Sequence, residues 1–228
     1  MSVSPLLLSF LTDLKLNNSR EWFAIQKDIY DQVKVNFDAY IGDLIQEFAD
    51  FENMDGVKIK DCSYRIYRDV RFSKNKEPYK TWFSASFSEG GRKSGFMDYY
   101  LHIEPGGKSF LGGGMYNATS EQLALFRQEI DYNAKSFLSI VESPLFLSTF
   151  GAPEGECLKK IPKGYPADHP DAEWLKRKQL FYWQHFTDEQ IMHPEFTSQL
   201  IQSAKVLKPF LDFLNAIFFE KEPFLKQY

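Results

Sequence analysis

Tyr99-Tyr100-Leu101-His102-Ile103-Glu104-Pro105-Gly106-Gly107 alternates for six residues and then meets a proline and two glycines. A period of two sets Tyr99, Leu101 and Ile103 on one face of a strand and Tyr100, His102 and Glu104 on the other. Pro-Gly-Gly supplies the turn that ends it. The stretch therefore predicts a half-buried strand whose second face carries chemistry-bearing side chains.

The same period recurs on both sides. Upstream, Phe83, Ala85 and Phe87 alternate with Trp82, Ser84 and Ser86, and Gly90-Gly91 marks the intervening turn. Earlier still, Tyr64, Ile66, Val70 and Phe72 alternate with Arg65, Tyr67, Asp69 and Arg71, broken once by Arg68 on the apolar side. This too reads as a strand, and an Arg on its apolar side needs a partner, a ligand or a place at the strand's end. Downstream, residues 108–116 read as another strand, giving an antiparallel meander over about 58–116. The run Gly112-Gly113-Gly114 lacks the GxxxxGK[ST] spacing and lysine of a phosphate loop, so it predicts a bulge or a close approach of two backbones.

Helical periodicity flanks this region. Ser4-Pro5 opens a helix over residues 4–15. Asn18 and Glu21 have capping-box spacing ahead of Trp22, Ile25, Ile29, Val33, Phe37, Tyr40, Ile41, Leu44, Ile45 and Phe48, which recur every three or four residues and predict one buried face. Thr119 and Gln122 repeat that spacing before a helix reaching Val141, and Ser143-Pro144 starts a short one ended by Gly151. Residues 152–170, rich in proline, glycine and lysine, form a long loop. Residues 171–178 form a helical turn or two, residues 180–186 an aromatic strand, and Pro194 begins a last helix to about Phe219. The expected fold is α+β. A central antiparallel sheet, made of the 58–116 meander and a strand near 180–186, is packed by N-terminal and C-terminal helices in a single domain of 228 residues.

Composition bounds the function. A hydrophobic fraction of 43% with 17% aromatic residues is enough for a folded core, which argues against a disordered chain. Cys62 and Cys157 are the only cysteines and have no CxxC spacing, which points to a reducing, cytoplasmic setting without a disulfide scaffold. No signal peptide or membrane span is readable. The net charge is −4, yet residues 58–93 hold ten Lys or Arg against four Asp or Glu. Positive charge gathered in one segment of an acidic protein favours a local anion site over a surface that binds polyanions everywhere.

The candidate ligand-binding residues are Arg65, Arg68, Arg71, Lys74, Lys76, Tyr79 and Lys80, with Lys159, Lys160 and Lys163 of the long loop as a second wall. Arg holds phosphate or carboxylate bidentately and Lys as a point charge. The competing reading is structural ion pairing with Asp69, Glu77 and acids of the first helices. On a strand, Arg65 and Arg71 share one face and Arg68 takes the other, so convergence of all three needs a bulge or twist. His102 and Glu104 form the candidate acid/base pair, against the alternative of a hydrogen-bonded structural histidine. No ligand spacing for a metal is present, no cofactor motif is readable, and nothing marks Cys62 as a nucleophile.

Tyr64-Arg65-Ile66-Tyr67-Arg68-Asp69-Val70-Arg71-Phe72-Ser73, the Pro78-Tyr79-Lys80 that follows, Gly90-Gly91-Arg92-Lys93 and the opening nonapeptide together resemble an uncharacterised family known as domain of unknown function 2461. Asn17-Asn18-Ser19-Arg20-Glu21-Trp22-Phe23, Leu158-Lys159-Lys160-Ile161-Pro162-Lys163-Gly164 and His169-Pro170 are also similar to its pattern. The resemblance spans nearly the whole chain and implies an intracellular, single-domain protein, with no activity to carry over. The sequence thus leads to a cationic pocket for an anionic or phosphorylated small molecule. The alternatives are nucleic-acid binding, with Tyr67, Tyr79 and Trp82 as stacking platforms, and an interaction module whose aromatic excess forms an interface.

Overall fold

The structure, a computed structural model, describes residues 3–219. In chain order it comprises α1 (Pro5–Leu16), α2 (Arg20–Ile25), α3 (Lys27–Ala49), α4 (Ile59–Cys62), β1 (Phe83–Phe87), β2 (Tyr99–Ile103), β3 (Ser109–Met115), α5 (Ser120–Val141), α6 (Pro144–Phe150), α7 (Ala172–Leu175), β4 (Leu180–Phe186), α8 (Asp188–Met192) and α9 (Phe196–Phe219). The strands form a four-stranded sheet in the order β1-β2-β3-β4, so the fold is α+β. β1 and β2 are antiparallel, with Ala85 opposite Leu101 and Ser84 opposite His102.

Two compact units divide the chain. Of the described residues, one unit contains 3–95, 99–111 and 185–202; the other contains 96–98, 112–184 and 203–219. In the first, Phe83, Ala85 and Phe87 join Tyr99, Leu101 and Ile103 on a buried face of β1 and β2. α3 covers that face, stacking Phe48 on Phe87 at 4.5 Å between ring centroids and setting Phe37 5.0 Å from Phe83. The alternation of the two strands produces this: one set of side chains enters the core and the other is left to the opposite face.

The second unit is built on aromatic packing, with Phe146 and Phe210 set edge-on to Tyr182 at 4.8 and 5.1 Å. Its glycine run lets β3 lie against β4. A Cβ on Gly112 would stand 2.2 Å from the Tyr182 carbonyl oxygen, and one on Gly114 would stand 2.4 Å from that of Leu180. Close backbone approach is thus the reason for the three glycines.

Several expectations are corrected. Residues 64–72 form no strand, and the meander begins at Phe83. Their alternation is spent on two partners in succession. The Tyr64 N–H donates to the Ser84 carbonyl along the outer edge of β1, after which Ile66 and Arg68 exchange backbone hydrogen bonds with Lys80 and Pro78. No ladder is long enough to make a strand. The second helix is broken at Gln26 (φ −92°, ψ 14°), so Ile25 is exposed and Phe23 is buried in its place; within α3, Tyr30 is buried and Ile29 is exposed. Ser19, not Asn18, caps α2 by accepting from the Trp22 N–H. α8, opened by a Thr187/Gln190 capping box, goes unread in the sequence, and Pro194 lies in the turn before α9 and outside the helix.

Candidate functional site

The face of β1 and β2 opposite the core carries Ser84, Ser86, Tyr100 and His102 in register. The β2 alternation places His102 there, and Glu104, one residue past the strand end, falls on the same side. The carboxyl oxygen of Glu104 lies 3.1 Å from His102 Nε2, and its other oxygen lies 3.6 Å from Lys108 Nζ. A carboxylate accepts only, so the imidazole donates through Nε2–H and leaves Nδ1 as an acceptor. Nδ1 faces the Tyr100 hydroxyl at 3.4 Å. His102 is held on both sides, with Trp82 stacked at 5.3 Å and Phe110 of β3 at 4.7 Å and 9° between planes. Burial lowers its pKa, and the bond to Glu104 only partly offsets this. At neutral pH the ring is therefore uncharged.

Positive charge converges on the edge of this face. Lys80 Nζ lies 5.4 Å from the centre of the Tyr64 ring and 5.9 Å from that of Trp82. The Arg92 guanidinium lies 5.1 Å from the same Tyr64 ring, and the Tyr64 hydroxyl reaches Ser86 Oγ at 3.1 Å. The Lys80 pKa is lowered, first by burial and then by the charges of Arg65 and Arg92. Among the described residues no carboxylate lies within ion-pair distance of Lys80, Arg65 or Arg92. Arg92 Nε is buried without any hydrogen-bond partner. Arg92 is held in place by its own backbone, whose N–H donates to the Asp61 carbonyl. The preceding Gly91 (φ +75°) has no room for a Cβ against Asp61.

The residues expected to form the site divide into two groups. Lys80 lies at the sheet face, and the charge of the exposed Arg65 acts both on it and on Asp69. Arg68 turns to Glu77 at 3.6 Å and Ser73 at 3.5 Å, Arg71 pairs with Asp69 at 2.6 Å, and Lys76 donates to the Val70 carbonyl at 3.0 Å. Arg71 holds the Asp69 carboxyl below its usual range. Lys74 is exposed in the same loop. Tyr79 is 6% exposed, its ring stacked on Phe23 at 4.0 Å and its phenol raised in pKa by burial, so it anchors the loop and offers no face to a ligand. Asn18 fixes the same point, donating to the Tyr79 carbonyl at 3.0 Å and accepting from its N–H at 3.2 Å. Lys159, Lys160 and Lys163 belong to the other compact unit.

Arg92 is absent from the expected site. Its signal lies in the Gly-Gly-Arg-Lys stretch, where a turn glycine precedes a cation. Among the described residues no cluster of three His, Cys, Asp or Glu side chains is positioned to hold a metal, and no helix is long and apolar enough to cross a membrane.

These features define an α+β protein with a cationic, aromatic-lined sheet face. A family model described as "Conserved hypothetical protein (DUF2461)" matches residues 7–213, and the chain belongs to that family. Searches of the curated proteins and of the solved structures find no match.

Proposed function

We propose that the sheet face bounded by Lys80, Arg65 and Arg92 binds the anionic group of a small molecule, in the cytoplasm, and that this group is a phosphate. The observation that carries the reading is that Lys80 and Arg92 sit half-buried against one tyrosine ring, with the charge of the exposed Arg65 reaching Lys80, and that no carboxylate among the described residues lies within ion-pair distance of the three. Chains ordinarily pair such charges internally, because an uncompensated cation out of water is costly. Here the chain keeps three near one another and leaves the Arg92 Nε–H with nothing to bond. An external anion satisfies all of them at once. A phosphate dianion, with three oxygens and two charges, fits one Lys and two Arg better than a carboxylate with two oxygens and one charge. Two cysteines, one buried and one exposed, without CxxC spacing suit a reducing compartment.

The test is a thermal-shift and calorimetric titration of the full chain with inorganic phosphate, acetate and a short oligonucleotide at two salt concentrations. A ligand that binds only the native state raises its Tm. The expected result is a shift with phosphate that exceeds that with acetate and is lost in Arg92→Met. A shift with the oligonucleotide alone, falling steeply with salt, replaces this reading with a nucleic-acid surface. No shift with any of them overturns it.

A further inference from the structure

We infer that the cationic face is the substrate-binding half of a hydrolytic site for phosphate monoesters, and that Tyr100, His102 and Glu104 form its proton relay; this rests on the phosphate reading above. The relay is directional. Glu104 fixes the Nε2–H tautomer at 3.1 Å, so the remaining basic nitrogen, Nδ1, points to the Tyr100 hydroxyl at 3.4 Å. Any buried histidine needs hydrogen-bond partners; what marks His102 is that the partner of its basic nitrogen is a phenol whose ring adjoins Tyr64 at the cationic edge. Trp82 and Phe110 clamp the ring in the plane that serves both bonds.

The two halves adjoin. Tyr100 meets Tyr64 edge-on at 5.9 Å, and Tyr64 is the ring against which Lys80 and Arg92 lie. Lys80 is also close enough to His102 for its charge to depress the imidazole pKa. A phosphoryl group held by Lys80 and Arg92 against Tyr64 is thereby brought next to the Tyr100 ring.

The step balances with water alone. As a water oxygen bonds to phosphorus, its proton passes to Tyr100 Oη while the Tyr100 proton passes to His102 Nδ1. The P–O ester bond breaks, its electron pair stays with the alcohol oxygen, and that oxygen takes a proton back from the relay. The products are an alcohol and inorganic phosphate, and the site returns to its starting protonation. Tyr100 is the group that touches the reacting water, and His102 and Glu104 act through it as positioning residues. Lys80 and the two arginines stabilise the charge on the equatorial oxygens.

The experiment incubates the full chain with p-nitrophenyl phosphate, glycerol 3-phosphate and a nucleoside monophosphate and measures alcohol and phosphate release, with the phosphate-induced Tm shift recorded on the same samples. Expected is turnover of at least one ester, reduced 10²- to 10⁴-fold in Tyr100→Phe and in His102→Gln with the phosphate shift retained, as the loss of a positioned acid/base group requires. Glu104→Gln keeps the shape of the site and removes its negative charge. Its acid limb of the pH–rate profile is expected to move to lower pH, because Glu104 is what raises the His102 pKa. A merely structural Glu104 leaves that limb in place and overturns the relay. A chain that binds phosphate and turns over none of the esters overturns this inference and leaves the anion site standing. A chain that binds no phosphate overturns both. Turnover that survives intact in Tyr100→Phe overturns the relay even if hydrolysis is real.

Discussion

Two groups of cations in residues 58–93 began as one cluster in the sequence and have opposite fates in the fold. In the loop from Arg68 to Lys76, each cation except the exposed Lys74 is answered within nine residues: Arg68 by Glu77 and Ser73, Arg71 by Asp69, Lys76 by the Val70 carbonyl. At the sheet face, Lys80 and Arg92 gather around Tyr64 and Trp82 with the charge of Arg65 reaching Lys80, and none of the three has a carboxylate within ion-pair distance among the described residues. Density of charge along the chain thus does not identify a binding site. What distinguishes the second group is that its charges come from three separated positions and that burial makes an unmet charge costly there.

The largest break in that contrast is expected at Lys80. Lys80→Met keeps most of the packing against Tyr64 and Trp82 and removes the charge, so phosphate affinity should fall about 10- to 100-fold, as hydrogen bonds to charged groups contribute about 1.5–3 kcal/mol. The unliganded variant should melt no lower than the parent, because burial and two neighbouring arginines already disfavour the Lys80 charge. A lower Tm without ligand, measured by calorimetry, would make Lys80 a structural cation and erase the distinction.

Asn18 sharpens the contrast from the side of the fold. Its two bonds hold the backbone of Tyr79, the residue before Lys80. Asn18→Ala should cost about 1–3 kcal/mol in urea denaturation, since it leaves two partly buried backbone groups unsatisfied. The same variant should weaken phosphate binding, because the lysine is aimed from that point.

Acidity separates the groups by a smaller margin. The Lys80 pKa lies below that of an ordinary lysine, so phosphate affinity should decline with rising pH before exposed lysines lose their charge. His102 has the same sign of shift. Its folded pKa is below the unfolded value, so its contribution to stability is present above the unfolded pKa and lost as pH falls through the folded one. Chemical denaturation between neutral and mildly acid pH should show stability decreasing with acidity, and His102→Gln should flatten that slope.

The sequence disclosed the sheet face more fully than the site edge. Alternation in residues 83–87 and 99–103 separates an apolar face, packed on α3, from a polar one that is also largely buried, so it predicted both strands and set His102 and Glu104 on the same side. The glycines at 112–114 left open a bulge or a close backbone approach, and the structure shows the close approach. The same alternation misled at residues 64–72, because the chain there changes partners between Tyr64 and Ile66, and periodicity carries no information about continuity of pairing. Ile25 misled because a break at one residue, Gln26, rotates everything before it out of phase with α3, and Ile29 because Tyr30 takes the buried place in the first turn of α3. Arg92 was illegible as a site residue, since it reaches Tyr64 only through tertiary packing across 28 positions of sequence.

The smallest expected effect tests the other side of the contrast. Arg71 is 77% exposed in its side chain and its partner Asp69 is 46% exposed, so solvent screens the pair and both side chains give up rotamer freedom to form it. Arg71→Ala should leave the Tm and the phosphate affinity unchanged within error, even though it removes a cation only nine residues from Lys80. Equal losses in Arg71→Ala and Lys80→Met would show that the ligand draws on the whole positive segment through its long-range field. In that case both variants should converge on one affinity as salt is raised, because screening removes the field and leaves contacts. An unchanged Arg71→Ala beside a weakened Lys80→Met that stays weakened at high salt places recognition in direct contact at the sheet face.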